Sequence, residues 1–137
     1  MTIAIRLSTA KTVDEVAVAL QSIVSANQLG VTHVYNFKEL TKKGVQFAME
    51  CVIVEVGKLR QPNDALDEDA ELSTALPCRI SIYAKDGRTM LVALKPTFLL
   101  AIFSSIQLAK AARKVEAMMV KLMRQAARGN TNPCVAA

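Results

Sequence analysis

An Asp86-Gly87 step set between the segments 79–85 and 88–94 constrains this chain more than any other feature. Both central residues of a type I′ turn need φ > 0, which Asp-Gly adopts at little cost, and the flanks alternate apolar and polar residues. The pair predicts an antiparallel hairpin. Because side chains alternate along a strand, Cys78, Ile80 and Ile82 share one face while Arg79, Ser81 and Tyr83 share the other. Cys78 thereby sides with the core.

The rest of the chain supplies partners for that hairpin. Ile3, Ile5 and Leu7 alternate with Ala4, Arg6 and Ser8, a short strand. Thr12 followed by Glu15 forms a capping box ahead of Val13, Val16, Ala17, Leu20, Ile23 and Val24 at helical spacing, with Gly30 as the stop. Strands are expected at 31–37 and 47–56. Helical periodicity returns over 97–128, with Pro96 in the first turn and Gly129 as the stop. The order is β-α-β-β-β-β-α, an α+β domain over 1–128 with a flexible tail at 129–137.

The third strand has apolar residues on both faces: Phe47, Met49, Cys51 and Ile53 on one, Val52, Val54 and Val56 on the other. Such a strand wants cover on both sides. Two helices cover one face of a five-stranded sheet, so the second face is expected to meet a partner, most economically a second copy of the chain. Val54 is assigned to that contact.

With 137 residues, 52% of them hydrophobic, the chain can build one core. Arg6 and Lys11 interrupt the first residues, so no secretory signal is expected. The uncharged run 96–109 is 14 residues, short of the roughly 20 of a membrane-spanning helix. A cytoplasmic location follows. Three cysteines without Cys-x-x-Cys spacing and the lone His33 give neither a disulfide framework nor a metal centre. Asp64, Asp67, Glu68, Asp69 and Glu71 crowd the insert 58–76, but it has no glycine for the sharp turn of a calcium loop. A short solvated helix begun by Pro62 is the expected form. No cofactor is expected.

Charge is unevenly placed. Residues 1–103 carry as many acids as bases, whereas beyond them Lys110, Arg113, Lys114, Lys121, Arg124 and Arg128 face only Glu116, so the whole formal charge of +5 sits on the last helix. Leu108, Ala112, Val115, Met119, Leu122 and Ala126 form its apolar stripe. At 1.5 Å per residue a helix over 97–128 is about 48 Å long, against a radius of gyration of about 14 Å for a compact chain of this size. Its stripe, with Met118 and Met123, is therefore offered either to its own sheet, to a second copy or to an anionic surface. Aromatic residues make up 4% of the chain and tryptophan is absent, so no specific nucleic acid is expected.

Leu76-Pro77-Cys78, 80–83, Asp86-Gly87 and Lys95-Pro96-Thr97, with His33-Val34-Tyr35-Asn36-Phe37 more loosely, resemble the domain of unknown function 302 family over about residues 2–125. The resemblance implies a β-α-β(4)-α two-layer sandwich of TATA-binding-protein-like topology, an antiparallel sheet with helices on one face, and self-association. It implies no activity. Many members carry Cys-Asn-Pro at the bend after the third strand, where this chain has Gly57-Lys58-Leu59.

Three residues are candidate ligand-binding positions. Cys78 beside Arg79 is either a structural thiol or a thiolate for redox or sulfur-carrier chemistry. His33, grouped by parity with Val31, Tyr35 and Phe37, is a core or interface histidine or a ligand. Lys95 precedes a helix whose first N–H groups could take an anion, or it is a solvated strand end. The six bases of the last helix are the candidate anion-binding set. No carboxylate pair, Ser-His-Asp set or phosphate-cradling glycine loop is present, so a catalytic residue is not assigned. The leading expectation is a non-catalytic dimeric accessory or small-ligand-binding domain, with thiol chemistry and anionic-surface binding as rivals.

Overall fold

The computed structural model describes residues 3–42, 44, 49–58, 78–99, 101 and 106–128. Five strands, β1 (Ala4–Thr9), β2 (Leu29–Asn36), β3 (Cys51–Lys58), β4 (Cys78–Lys85) and β5 (Arg88–Leu94), form one antiparallel sheet in the order β1-β5-β4-β3-β2. Helix α1 (Val13–Ala26) follows β1, the short α2 (Phe37–Lys42) follows β2, and α3 (Pro96–Leu99) and α4 (Ile106–Ala127) follow β5. The expected β-α-β(4)-α order is thus realised, with α1 and α4 packed on one face of the sheet.

The β4–β5 turn has the conformation its residues require: Asp86 at φ 51° and Gly87 at φ 75°, closing the pair Lys85↔Arg88. Thr12 caps α1 by accepting from Glu15 N at 3.1 Å, and Glu15 Oε1 accepts from Thr12 N at 3.2 Å. The end of α1 differs from the sequence expectation. Asn27 closes it and Gln28 takes φ 61°, so Gly30 is a strand residue rather than the stop. An asparagine can satisfy helix-end carbonyls with its own side chain, and the Asn27 amide donates to Ile23 O at 2.8 Å.

The core lies between the sheet and the helices. Ile5, Leu91, Ile82, Ile80, Val52, Val54 and Val56 meet Val16, Leu20 and Val24 of α1 and Met119, Leu122, Met123 and Ala126 of α4. Each large side chain buried there contributes about 1.5–3 kcal/mol relative to exposure. Val54 is completely buried in this core. Its assignment to a partner contact is therefore corrected, because β3 turns 52, 54 and 56 towards the helices.

The periodic stretch 97–128 comprises α3 and α4, with residues 100 and 102–105 outside the described residues. The 22 residues of α4 span about 33 Å, and Val115, Met119, Leu122 and Ala126 of the stripe offered to alternative partners are used in cis. Its C-terminal carbonyls are closed from the other end of the chain: Thr9 Oγ1 donates to Ala127 O at 2.6 Å and Lys11 Nζ to Ala126 O at 3.1 Å. No helix among the described residues is long and apolar enough to cross a membrane. Residues 59–76 of the acidic insert, the 129–137 tail and Phe47 lie outside the described residues.

Candidate functional site

The sheet face away from α1 and α4 is built from three rows that the strand register defines. Tyr35, Ile53, Ser81, Val92 and Arg6 lie in line; Cys51, Tyr83, Met90 and Ser8 form the next row; His33, Glu55 and Arg79 form the third. Tyr35, Ile53, Tyr83, Met90 and Val92 are half-buried, and Cys51 is buried.

Glu55 is the unusual member. Its side chain is only 10% exposed, in a run of valines and isoleucine. An isolated buried carboxylate is costly, so the neighbours decide its state. Arg79 Nε donates to Oε1 at 3.0 Å, Thr32 Oγ1 donates to Oε2 at 3.3 Å, and Tyr35 supplies a further hydrogen bond. Burial by itself raises the carboxyl, but the bonds from Tyr35, Arg79 and Thr32 and the Arg79 charge together outweigh it and hold Glu55 below its ordinary value. The group is ionised at neutral pH. Arg79 keeps 65% of its side chain exposed, and the His33 ring meets that of Tyr35 at 4.3 Å, edge to face.

A β-bulge makes this cluster possible. The register shifts between Val31 and His33, so Val31 pairs with Val56 on the core side while His33 pairs with Glu55 on the other. Strand parity alone put His33 with Val31, and the bulge corrects that. The extra residue, Thr32, sets its methyl over Gly57, where a Cβ would lie 2.8 Å from Thr32 Cγ2. Glycine at 57 is thus required by the bulge opposite it.

The family model described as "Domain of unknown function DUF302" matches residues 5–126. The chain belongs to the DUF302 family. A crystal structure of an uncharacterized conserved DUF302 protein from Bacillus stearothermophilus is similar at TM-score 0.80 and 23% identity, covering 93% of this chain and 100% of that one. At that identity the likeness shows the fold. No curated protein matches.

In this DUF302 domain the three sequence candidates do not converge. Cys78 opens β4 on the core face, paired with Val56, whereas His33 is on the opposite face. The base proposed to favour a Cys78 thiolate, Arg79, is engaged with Glu55 across the sheet, and burial pushes the Cys78 and Cys51 thiols up. Electrostatic support for a thiolate is therefore missing. Lys95 follows β5, and its N–H donates to Ile3 O at 2.9 Å. The helix it precedes, α3, has four residues, and its Thr97 N–H and hydroxyl donate to Glu116 Oε1 at 3.3 and 2.6 Å. Thr97 thus ties α3 to α4, and a carboxylate of α4 takes the Thr97 N–H and hydroxyl. Among the described residues no three His, Cys, Asp or Glu side chains gather as metal ligands.

Sequence reading missed Glu55, Arg79, Thr32 and Tyr35. A usable signal was present: a single acid inside Val52-Ile53-Val54-Glu55-Val56 must find a donor on a neighbouring strand or face water.

Proposed function

We propose that this DUF302 chain is a non-catalytic homodimeric binding domain over residues 1–128, followed by a tail at 129–137, and that two copies associate through the sheet faces bearing Ile53. The observation behind this reading is the composition of that face. Tyr35, Ile53, Tyr83, Met90 and Val92 form an apolar centre that neither α1 nor α4 covers, with His33 and Arg79 exposed at one end and Arg6 and Ser8 at the other. An apolar centre with a polar rim is the anatomy of an association surface. A two-fold contact would pair this patch with itself. The Arg79–Glu55 pair fits a non-catalytic role, because three donors hold the carboxylate in one ionisation state rather than leaving it poised near neutrality.

Light scattering at micromolar concentration is expected to give about twice the 14.9 kDa chain mass. Ile53→Asp is expected to return the protein to that single-chain mass with its circular dichroism unchanged, since a charge at the centre of the contact has no partner. A monomeric wild type, or an Ile53→Asp variant that stays dimeric, would sink the reading.

A further inference from the structure

The basic residues of α4 occupy one narrow strip. At 100° per residue Lys110, Arg113, Lys114, Lys121 and Arg124 fall within an arc of about 100°, directly opposite the buried Ala112, Met119, Leu122, Met123 and Ala126. All five are exposed, with exposed Ala117 between the two groups, and from Lys110 to Arg124 the strip runs about 21 Å. None of the five side chains has a hydrogen bond or ion pair among the described residues. Glu116, the one acid of the helix, is turned aside to Thr97. The strip is thus an uncompensated line of positive charge, and its focusing effect falls on whatever anion lies along it.

Its shape selects among anions. A flat anionic bilayer would lie across the outward faces of both helices, yet α1 contains no lysine or arginine and exposes Asp14, Glu15, Val18, Ser22 and Ser25 there. Charge confined to a single row matches a linear polyanion better than a plane. Neither helix carries an aromatic side chain, so neither offers a ring to stack on the unpaired bases of a single strand. Lysine and arginine in a row without such a platform suit phosphate contacts, which position a protein without reading sequence.

We propose that the outward face of α4 docks the phosphodiester backbone of double-stranded nucleic acid, independently of base sequence. This surface is on the opposite side of the sheet from the Ile53 face, so it is exposed in the monomer and the dimer alike and stands apart from the reading above.

Anisotropy of a short labelled DNA duplex, titrated with the full chain from low to physiological salt, tests it. With five contacts the logarithm of affinity is expected to fall against the logarithm of salt with a slope of about −4 to −5, and Lys114→Gln with Lys121→Gln is expected to reduce the magnitude of that slope by about 2. Lys110→Gln with Arg124→Gln provides a second pair should the first disturb folding. A shuffled duplex is expected to bind equally. The proposal is overturned by absence of binding at low salt, or by slopes that neither pair changes. It is also overturned by tighter binding to single-stranded DNA, to phosphatidylserine vesicles at matched charge, or to one duplex sequence.

Discussion

A carboxylate can stay ionised inside an apolar strand when its donors are fixed around it, and at Glu55 those donors come from the two neighbouring strands, β2 and β4. Its folded-state value is depressed below the ordinary 4.5. Such a group adds stability that is fully present above the unfolded value and is lost as pH falls through the lower folded one. Glu55→Gln is expected to flatten the acid limb of the melting temperature against pH, measured by circular dichroism from neutrality down to below that range; an unchanged limb would show that Glu55 is not the titrating group. Gly57 offers a second test at this scale. Gly57→Ala forces a Cβ to within 2.8 Å of a β-branched methyl and is expected to cost about 1–2 kcal/mol in urea unfolding. Thr32→Ser removes that methyl while keeping the hydroxyl, and in the double variant most of the loss should be recovered. Equal losses in the single and double variants would mean that the strain arises elsewhere.

Among the elements, those whose signals were local were legible in the sequence. The Asp86-Gly87 turn, the Thr12–Glu15 box and the face of Cys78 each depend on residues within a few positions of one another, and all three are found as read. The bulge at Thr32 was not legible, because parity counting has no means of registering an inserted residue, and the glycine that accommodates it, Gly57, is on another strand. The candidate site was obscured by that same step, since only with His33 moved across the sheet does the Glu55 cluster assemble. The fate of α4 was hidden for a related reason: a stripe identifies a face to bury but not what buries it. The closure of its end by β1 gives a measurable consequence. Thr9→Val leaves the Ala127 carbonyl without its hydroxyl donor inside a nearly buried site, and about 1–2 kcal/mol of stability is expected to be lost. Hydrogen exchange should rise first over 120–127; a uniform rise across α4 would argue against a local cap.

For the whole molecule, the two faces of the sheet give opposite readouts for the same substitution one residue apart. Val54→Asp places a charge in the core and is expected to abolish the cooperative melt, whereas Ile53→Asp is expected to leave the melt and remove the dimer. A folded Val54→Asp variant would contradict the layer assignment. The contact between Thr9 and Ala127 also joins residues 118 positions apart. The first strand can thus be completed only after the last helix has been made, and β1 itself pairs with β5 rather than with its neighbour in sequence. A fold closed by such distant contacts pays most of its chain-ordering entropy before its final bonds form. Synthesis from the N-terminus therefore leaves β1 waiting for β5 through most of the chain while α1 can already meet β2 and β3, so the nascent core is assembled from its β2–β3 side first.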